Sequence, residues 1–292
     1  MLRALIIRLF AYRAALLRLC STALTLLLTG CAVLQSPAER ADLQARAGQF
    51  QPVTAMAGTP MRAWLRQVAP VAATEATAAL TVYIEGDGAE WQSKYQSPAD
   101  PTPGNPLTLR LALRDPDAQV AYLGRPCQYL DRDALAQCPS ILWLSARYGE
   151  HAVTMMSAAL DILLLSARVP RLRLVGYSGG GAMAALLAAR RTDVDCVVTV
   201  ASPLDTDAWV AAIDVTPLAD SLNPLTHAPR LTAIAQTHIA GADDTVVPAS
   251  TLRRFAETLP HVRMEVIDQF DHDCCWVNAW VRLRARTCLA TP

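Results

Sequence analysis

One short stretch constrains the fold more than any other: Leu172-Arg173-Leu174-Val175-Gly176-Tyr177-Ser178-Gly179-Gly180-Gly181. An apolar strand pattern runs directly into a glycine cluster, and the Ala-rich residues 180–191 that follow read as a helix. Between them sits Gly-x-Ser-x-Gly, a turn so tight that a Cβ at its glycines would meet the neighbouring strand or helix. The turn lifts the Ser178 hydroxyl above the sheet edge. It also sets the next N–H, that of Gly179, at a helix N-terminus, where negative charge is favoured.

The rest of the chain alternates in the same way. Residues 79–84 form a buried-strand pattern closed by Glu85-Gly86-Asp87-Gly88, and strand patterns recur at 119–123, 171–175, 196–201, 231–240 and 262–267. Helical patterns cover 105–114, 150–168, 249–259 and 276–286. In the longest, Val153, Met156, Leu160, Leu163 and Leu164 recur at helical spacing, and Pro170 ends it. The alternation predicts an α/β fold, a mostly parallel central sheet with helices on both faces. No repeat, low-complexity block or linker divides residues 50–292, which are expected to form one domain.

Two further points complete a pattern. After the strand pattern at 231–240, Gly241-Ala242-Asp243-Asp244-Thr245-Val246-Val247-Pro248 places an acid at a strand's C-terminal end. Of the five histidines (His151, His227, His238, His261 and His272), only His272 lies in a loop just past the last strand pattern. Serine, acid and histidine follow one another in that order. At these three separated points the chain resembles an α/β-hydrolase. The resemblance implies that fold, a Ser178 nucleophile, a His272 general base and no cofactor. The family's Gly-x-x-Asp-x-x-Val-Pro selects Asp244 over Asp243 as the orienting acid, and Asp205, where some members place it, is a further candidate. Ile84-Glu-Gly-Asp-Gly, Arg125-Pro-Cys-Gln-Tyr and His272-Asp-Cys-Cys-Trp also resemble stretches of proteobacterial lipoprotein members of that family.

The resemblance further implies two backbone donors for a tetrahedral oxyanion. One is the N–H of Gly179; the other comes from the loop after 79–84, where the family often has His-Gly-Gly or His-Gly-x. This chain departs from that pattern, and Asp87 falls at the donor position. A carboxylate there opposes an oxyanion unless it is turned away or neutralised, for which Lys94, Arg125 and Arg147 are the available cations. Alternatively, Glu85 or Asp87 reads a positive group on the substrate, such as the free amine of a peptide. Trp91 and Tyr177 are expected to wall the pocket. The expected reaction is cleavage of a carboxylic ester or related acyl bond of a small-molecule or peptide substrate. A serine peptidase of aminopeptidase type and a non-catalytic binding lipoprotein on the same fold are the other readings.

The N-terminus reads as an address. Four arginines and no acid occupy residues 1–30, and the uncharged run 19–28 is half the length a bilayer span needs. It ends in Leu28-Thr29-Gly30-Cys31, which resembles a lipobox, so Cys31 is expected to carry a lipid. Residues 1–30 would be removed and 31–49 would tether the domain, on the periplasmic face of the outer membrane by analogy. Without residues 1–30 the chain holds 22 basic and 26 acidic residues, which argues against a nucleic-acid partner. The cysteines left, Cys127, Cys138, Cys196, Cys274, Cys275 and Cys288, suit an oxidising compartment. Cys127 and Cys138 flank a loop-like stretch and are the expected pair. Cys288 is expected to meet Cys274 or Cys275, and Cys196 to remain a buried thiol. No metal-ligand spacing appears among them.

Overall fold

The strand–turn–helix unit around Ser178 lies at the middle of one sheet. The structure, a computed structural model, describes residues 35–56, 58–67, 78–89, 96–259 and 262–290. The expected signal, Cys31, Trp91, Lys94 and His261 lie outside them. Eight strands run in the order β1 (Gln51–Pro52), β2 (Ala63–Gln67), β3 (Ala79–Ile84), β4 (Gln119–Leu123), β5 (Arg171–Tyr177), β6 (Val194–Val200), β7 (Ala235–Gly241) and β8 (Arg263–Ile267). Their spatial order is β1-β2-β4-β3-β5-β6-β7-β8. β2 is antiparallel to β1 and β4, and every other neighbouring pair is parallel.

Parallel strands need covered faces, and the strand sequences supply two apolar sides. On β3, Leu80, Val82 and Ile84 face a core shared with the helices Glu150–Ala167 and Gly179–Ala188. Tyr83 faces the opposite core with the helices Leu107–Leu113 and Trp276–Arg284. There its hydroxyl donates to Asp115 at 2.6 Å and accepts from Trp280 Nε1 at 2.9 Å. Glu150–Ala167 is long and apolar enough to cross a membrane, yet Val153, Met156, Leu160 and Leu163 are buried on the sheet. Strand order reverses at β3, with β4 on one side and β5 on the other. In such sheets a crevice opens past the C-terminal strand ends at the reversal.

Several boundaries differ from the expectations. Within the expected tether, the helix Pro37–Ala47 begins in a Ser36/Glu39 capping box and buries Ala41 and Ala45 beside Phe50 and Trp64. β1, β2 and the helices Arg132–Ala136, Thr206–Ile213 and Pro224–His227 are elements that the sequence patterns do not include. The strand expected from 231 begins at Ala235, because Pro229 starts a 3₁₀ turn, Ala228–Leu231, ahead of it.

Three disulfides are present among the described residues. Cys127 and Cys138 are joined, with Cα atoms 5.9 Å apart. Cys196 is not a free thiol; it pairs with Cys288 across 92 residues. The segment after the last helix folds back over β6, which brings Cys288 to Cys196 rather than to its near neighbours in sequence. Cys274 pairs with the adjacent Cys275.

Candidate active site

Ser178 sits where β5 meets the helix Gly179–Ala188, with φ +51° and ψ −129°. Backbone in that left-handed region is strained for serine. The flanking glycines let the turn close: a Cβ on Gly176 would lie 2.3 Å from the Gly180 backbone, and one on Gly180 would lie 2.2 Å from the Ile84 carbonyl of β3. The helix Gly179–Ala188, β5 and β3 therefore approach to backbone contact.

The loops after β7 and β8 complete a hydrogen-bonded chain. His272 Nε2 is 3.1 Å from Ser178 Oγ, and His272 Nδ1 is 2.9 Å from Asp244 Oδ2. The Asp244 side chain is fully buried, and its other oxygen accepts the N–H groups of Val246 (2.9 Å) and Val247 (2.7 Å). Asp243 is exposed. Asp205 serves elsewhere: it caps the helix Thr206–Ile213, accepts from Asn223 at 3.1 Å and pairs with Arg254 at 3.1 Å. The His272 carbonyl accepts Trp276 Nε1 at 2.8 Å and Tyr177 OH at 3.1 Å, which fixes the loop that carries the imidazole. Tyr177 also lays its ring against His272, with centroids 5.1 Å apart. His238 is buried, held by Thr199 at 2.8 Å and pushed down to about 3 by burial, so it is a neutral core residue.

On the other side of Ser178 lie the two acids that depart from the family pattern. Neither presents a free carboxylate to a substrate amine. Glu85 is buried and accepts from Tyr122 OH at 2.6 Å, Thr108 Oγ1 at 2.7 Å and the Gly86 N–H at 2.9 Å. Asp87 accepts from Arg125 at 3.2 Å, Arg147 at 3.0 Å and Tyr148 OH at 2.6 Å. Burial moves the carboxyls of both upward. At Glu85 that effect prevails, whereas at Asp87 the Arg147 and Arg125 guanidinium groups outweigh it and hold the carboxyl below the usual range. Among the described residues no group of three or more His, Cys, Asp or Glu side chains is placed to hold a metal ion.

No protein-family model matches the sequence, and none of the curated proteins does. Solved structures do match. An esterase from Pyrococcus furiosus is similar with TM-score 0.54 at 14% identity, over 83% of this chain and 92% of that one. Proline iminopeptidase from Mycobacterium smegmatis is similar with TM-score 0.57 at 14% identity, over 81% and 95%. A puromycin hydrolase matches with TM-score 0.53 at 20% identity, over 77% of this chain but 36% of that one. The fold is that of the α/β-hydrolases.

Within this α/β-hydrolase fold, Ser178, Asp244 and His272 converge, while Asp205 and Asp243 stay apart from them. Tyr122, Gln128, Tyr129 and Tyr148, which hold the two acids or their loop, are not evident as site residues from the sequence. Gln128 and Tyr129 stand in the Arg125-Pro-Cys-Gln-Tyr stretch, and that was the available signal. Tyr148 has none, because its hydroxyl reaches Asp87 from 61 residues away.

Proposed function

We propose that the chain is a serine hydrolase that cleaves a carboxylic ester or a related acyl bond. The observation that carries this reading is the unbroken hydrogen-bonded order Ser178–His272–Asp244 on a strained strand-to-helix turn. In the proposed cycle His272 takes the Ser178 proton as the hydroxyl oxygen attacks the acyl carbon. Asp244 holds the imidazole with its Nδ1 proton inward and stabilises the cation that forms. The N–H groups of Gly179 and Asp87 receive the tetrahedral oxyanion. His272 then returns the proton to the leaving group, and water releases the acyl group by the same steps in reverse.

The fold similarity to an esterase and to peptidases supports hydrolysis in general. For the bond, the Glu85 and Asp87 partners weigh against recognition of a substrate amine and in favour of an ester. Hydrolysis of short p-nitrophenyl esters, compared with aminoacyl anilides, tests the choice. The expected result is ester turnover that Ser178→Ala abolishes; faster anilide turnover would replace this reading with a peptidase.

We further propose that Cys31 is lipidated after removal of residues 1–30, which places the domain in the cell envelope, on the periplasmic face of the outer membrane. The disulfides Cys127–Cys138 and Cys196–Cys288 support an oxidising compartment. Cys31→Ser is expected to abolish metabolic palmitate labelling and leave the precursor unprocessed; labelling that survives would overturn the anchor.

A further inference from the structure

Ester hydrolysis needs the loop after β3 to hold one donor in place, and the way this loop is held is unusual. Its first three residues are each gripped from a single neighbouring segment, the end of β4 and the turn that follows it. Glu85 accepts from Tyr122, whose hydroxyl is also hydrogen-bonded to that of Tyr129. The Gly86 carbonyl accepts from Gln128 Nε2 at 3.0 Å. Asp87 accepts from Arg125 at 3.2 Å. Gln128 in turn accepts the Arg125 N–H at 2.9 Å, so the gripping residues are tied to one another. All of them are buried: Tyr122 and Gln128 are 0% exposed, Arg125 and Tyr129 4%.

The segment that grips is itself fixed. Cys127 is joined to Cys138, its N–H donates to the Pro60 carbonyl at 2.8 Å, and the Tyr129 N–H donates to Thr102 Oγ1 at 2.8 Å. From the far side, Arg147 and Tyr148 close on the second Asp87 oxygen. The held loop then bears directly on the nucleophile turn. A Cβ on Gly179 would lie 1.9 Å from Asp87 Oδ1 and 2.5 Å from the Tyr148 hydroxyl, and one on Gly86 would lie 3.5 Å from Ser178 Cβ. Gly179 is therefore glycine because the Asp87 carboxylate stands where its side chain would be. Two guanidinium groups face that one carboxylate, so the cluster around Asp87 carries excess positive charge beside the place where an oxyanion would form.

We propose that Arg125 and Gln128 are positioning residues for acyl transfer: the turn after β4 is a clasp that sets the loop Glu85–Gly86–Asp87 in register against Ser178 and Gly179. The clasp acts through the Asp87 and Gly86 backbone and touches no substrate. It rests on the acyl-transfer reading above. A brace that served stability alone would need no successive grip on three loop residues, nor contact with the residue that follows the nucleophile.

The test uses the full chain in detergent, with p-nitrophenyl acetate as substrate and a phenylboronic acid as a tetrahedral mimic. Gln128→Met and Arg125→Met are each expected to lower kcat by roughly 10²-fold, the loss typical of a misplaced oxyanion donor, with KM within about threefold. Boronate affinity should fall with kcat/KM, and Arg125→Lys should recover a large part of both. Gln128→Glu, which keeps the acceptor for the Arg125 N–H but loses the amide donor to the Gly86 carbonyl, keeps the test decisive if the methionine variants do not fold, with the same fall in kcat expected, and thermal melting identifies which variants are folded. An active wild type with folded variants whose kcat stays within about threefold would overturn the clasp alone. A wild type that turns over no ester and binds no boronate would overturn the acyl-transfer reading and the clasp with it.

Discussion

The two sides of Ser178 are built on opposite plans. On one side, a single imidazole and a single carboxylate stand on two loops, and the carboxylate is held by two backbone N–H groups. On the other, Glu85 and Asp87 are embedded in a buried network of three tyrosines, two arginines, a glutamine and a threonine. Under the proposed function the first plan concentrates the chemistry in few groups, so losing one should remove it. The second spreads a positioning task over many partners, so each loss is partial, and much of it shows as stability. Low dielectric makes both halves consequential, but only the second pairs its carboxylate with guanidinium groups.

The largest contrast is expected in catalysis. Ser178→Ala and His272→Ala should each remove at least about 10⁴-fold of ester hydrolysis, and the double variant little more, because such groups act as one unit. Asp244→Asn should approach the same loss through the wrong imidazole tautomer. Asp243→Asn, at an exposed position, should change kcat/KM less than about twofold. Steady-state kinetics on the five purified variants check these outcomes, and additive losses at Ser178 and His272 would break the first half of the comparison.

Disulfides sharpen it next. Removing Cys196–Cys288, which closes 92 residues, should cost about 4–5 kcal/mol by the chain-entropy estimate, with kcat of the folded fraction unchanged. Removing Cys127–Cys138, which closes 11, should cost about 3 kcal/mol yet lower kcat as well, because it loosens the turn that holds Gly86 and Asp87. Urea unfolding together with kinetics separates the two outcomes.

Asp87→Ala comes third. It leaves two largely buried guanidinium groups facing no carboxylate and should cost about 3 kcal/mol in urea unfolding, as for other broken buried pairs. A loss below about 1 kcal/mol would mean that the cluster is not coupled as described.

The smallest effect is the dependence on pH, where the two acids should differ in sign. The Asp87 carboxyl is lowered on folding, so its contribution is fully present above the usual carboxylate pKa and is lost as pH falls through its depressed value. The Glu85 carboxyl is raised by burial, so the folded state holds its proton longer than the unfolded chain does. Stability falls as pH rises from the usual Glu value through the raised one. Glu85→Gln should therefore flatten the fall on that rising limb, and Asp87→Asn should remove the acid-side loss. Unfolding free energy measured across acid pH checks both; the same slope change in the two variants would contradict the assignment.

This contrast also explains what the sequence made legible. β3 and β4 are near-continuous apolar runs with clear ends, and the long helix Glu150–Ala167 shows its buried face through regular spacing. The serine turn and the acid loop each announce themselves within a few residues, because their tight turns carry glycine or proline at fixed places, whereas His272 is legible from its place just past the last strand. The clasp does not. The clasp and the groups around it join residues 85–87, 108, 122–129 and 147–148, and no local spacing encodes a contact between Tyr148 and Asp87. The Cys196–Cys288 pair was missed for the same reason: Cys196 looks like any apolar strand residue until the C-terminus returns to it. Short elements such as β1, β2 and Pro224–His227 carry too few residues for either period to register.

The central claim is that Ser178 is the nucleophile of an acyl-transfer centre completed by His272. Its most direct measurement is labelling of the full chain with a fluorophosphonate, followed by mass spectrometry of the modified peptide. The account predicts a single phosphonylated residue, Ser178, with labelling strongly reduced in His272→Ala and absent in Ser178→Ala. A folded wild type that stays unlabelled, or a label on any other residue, would contradict it.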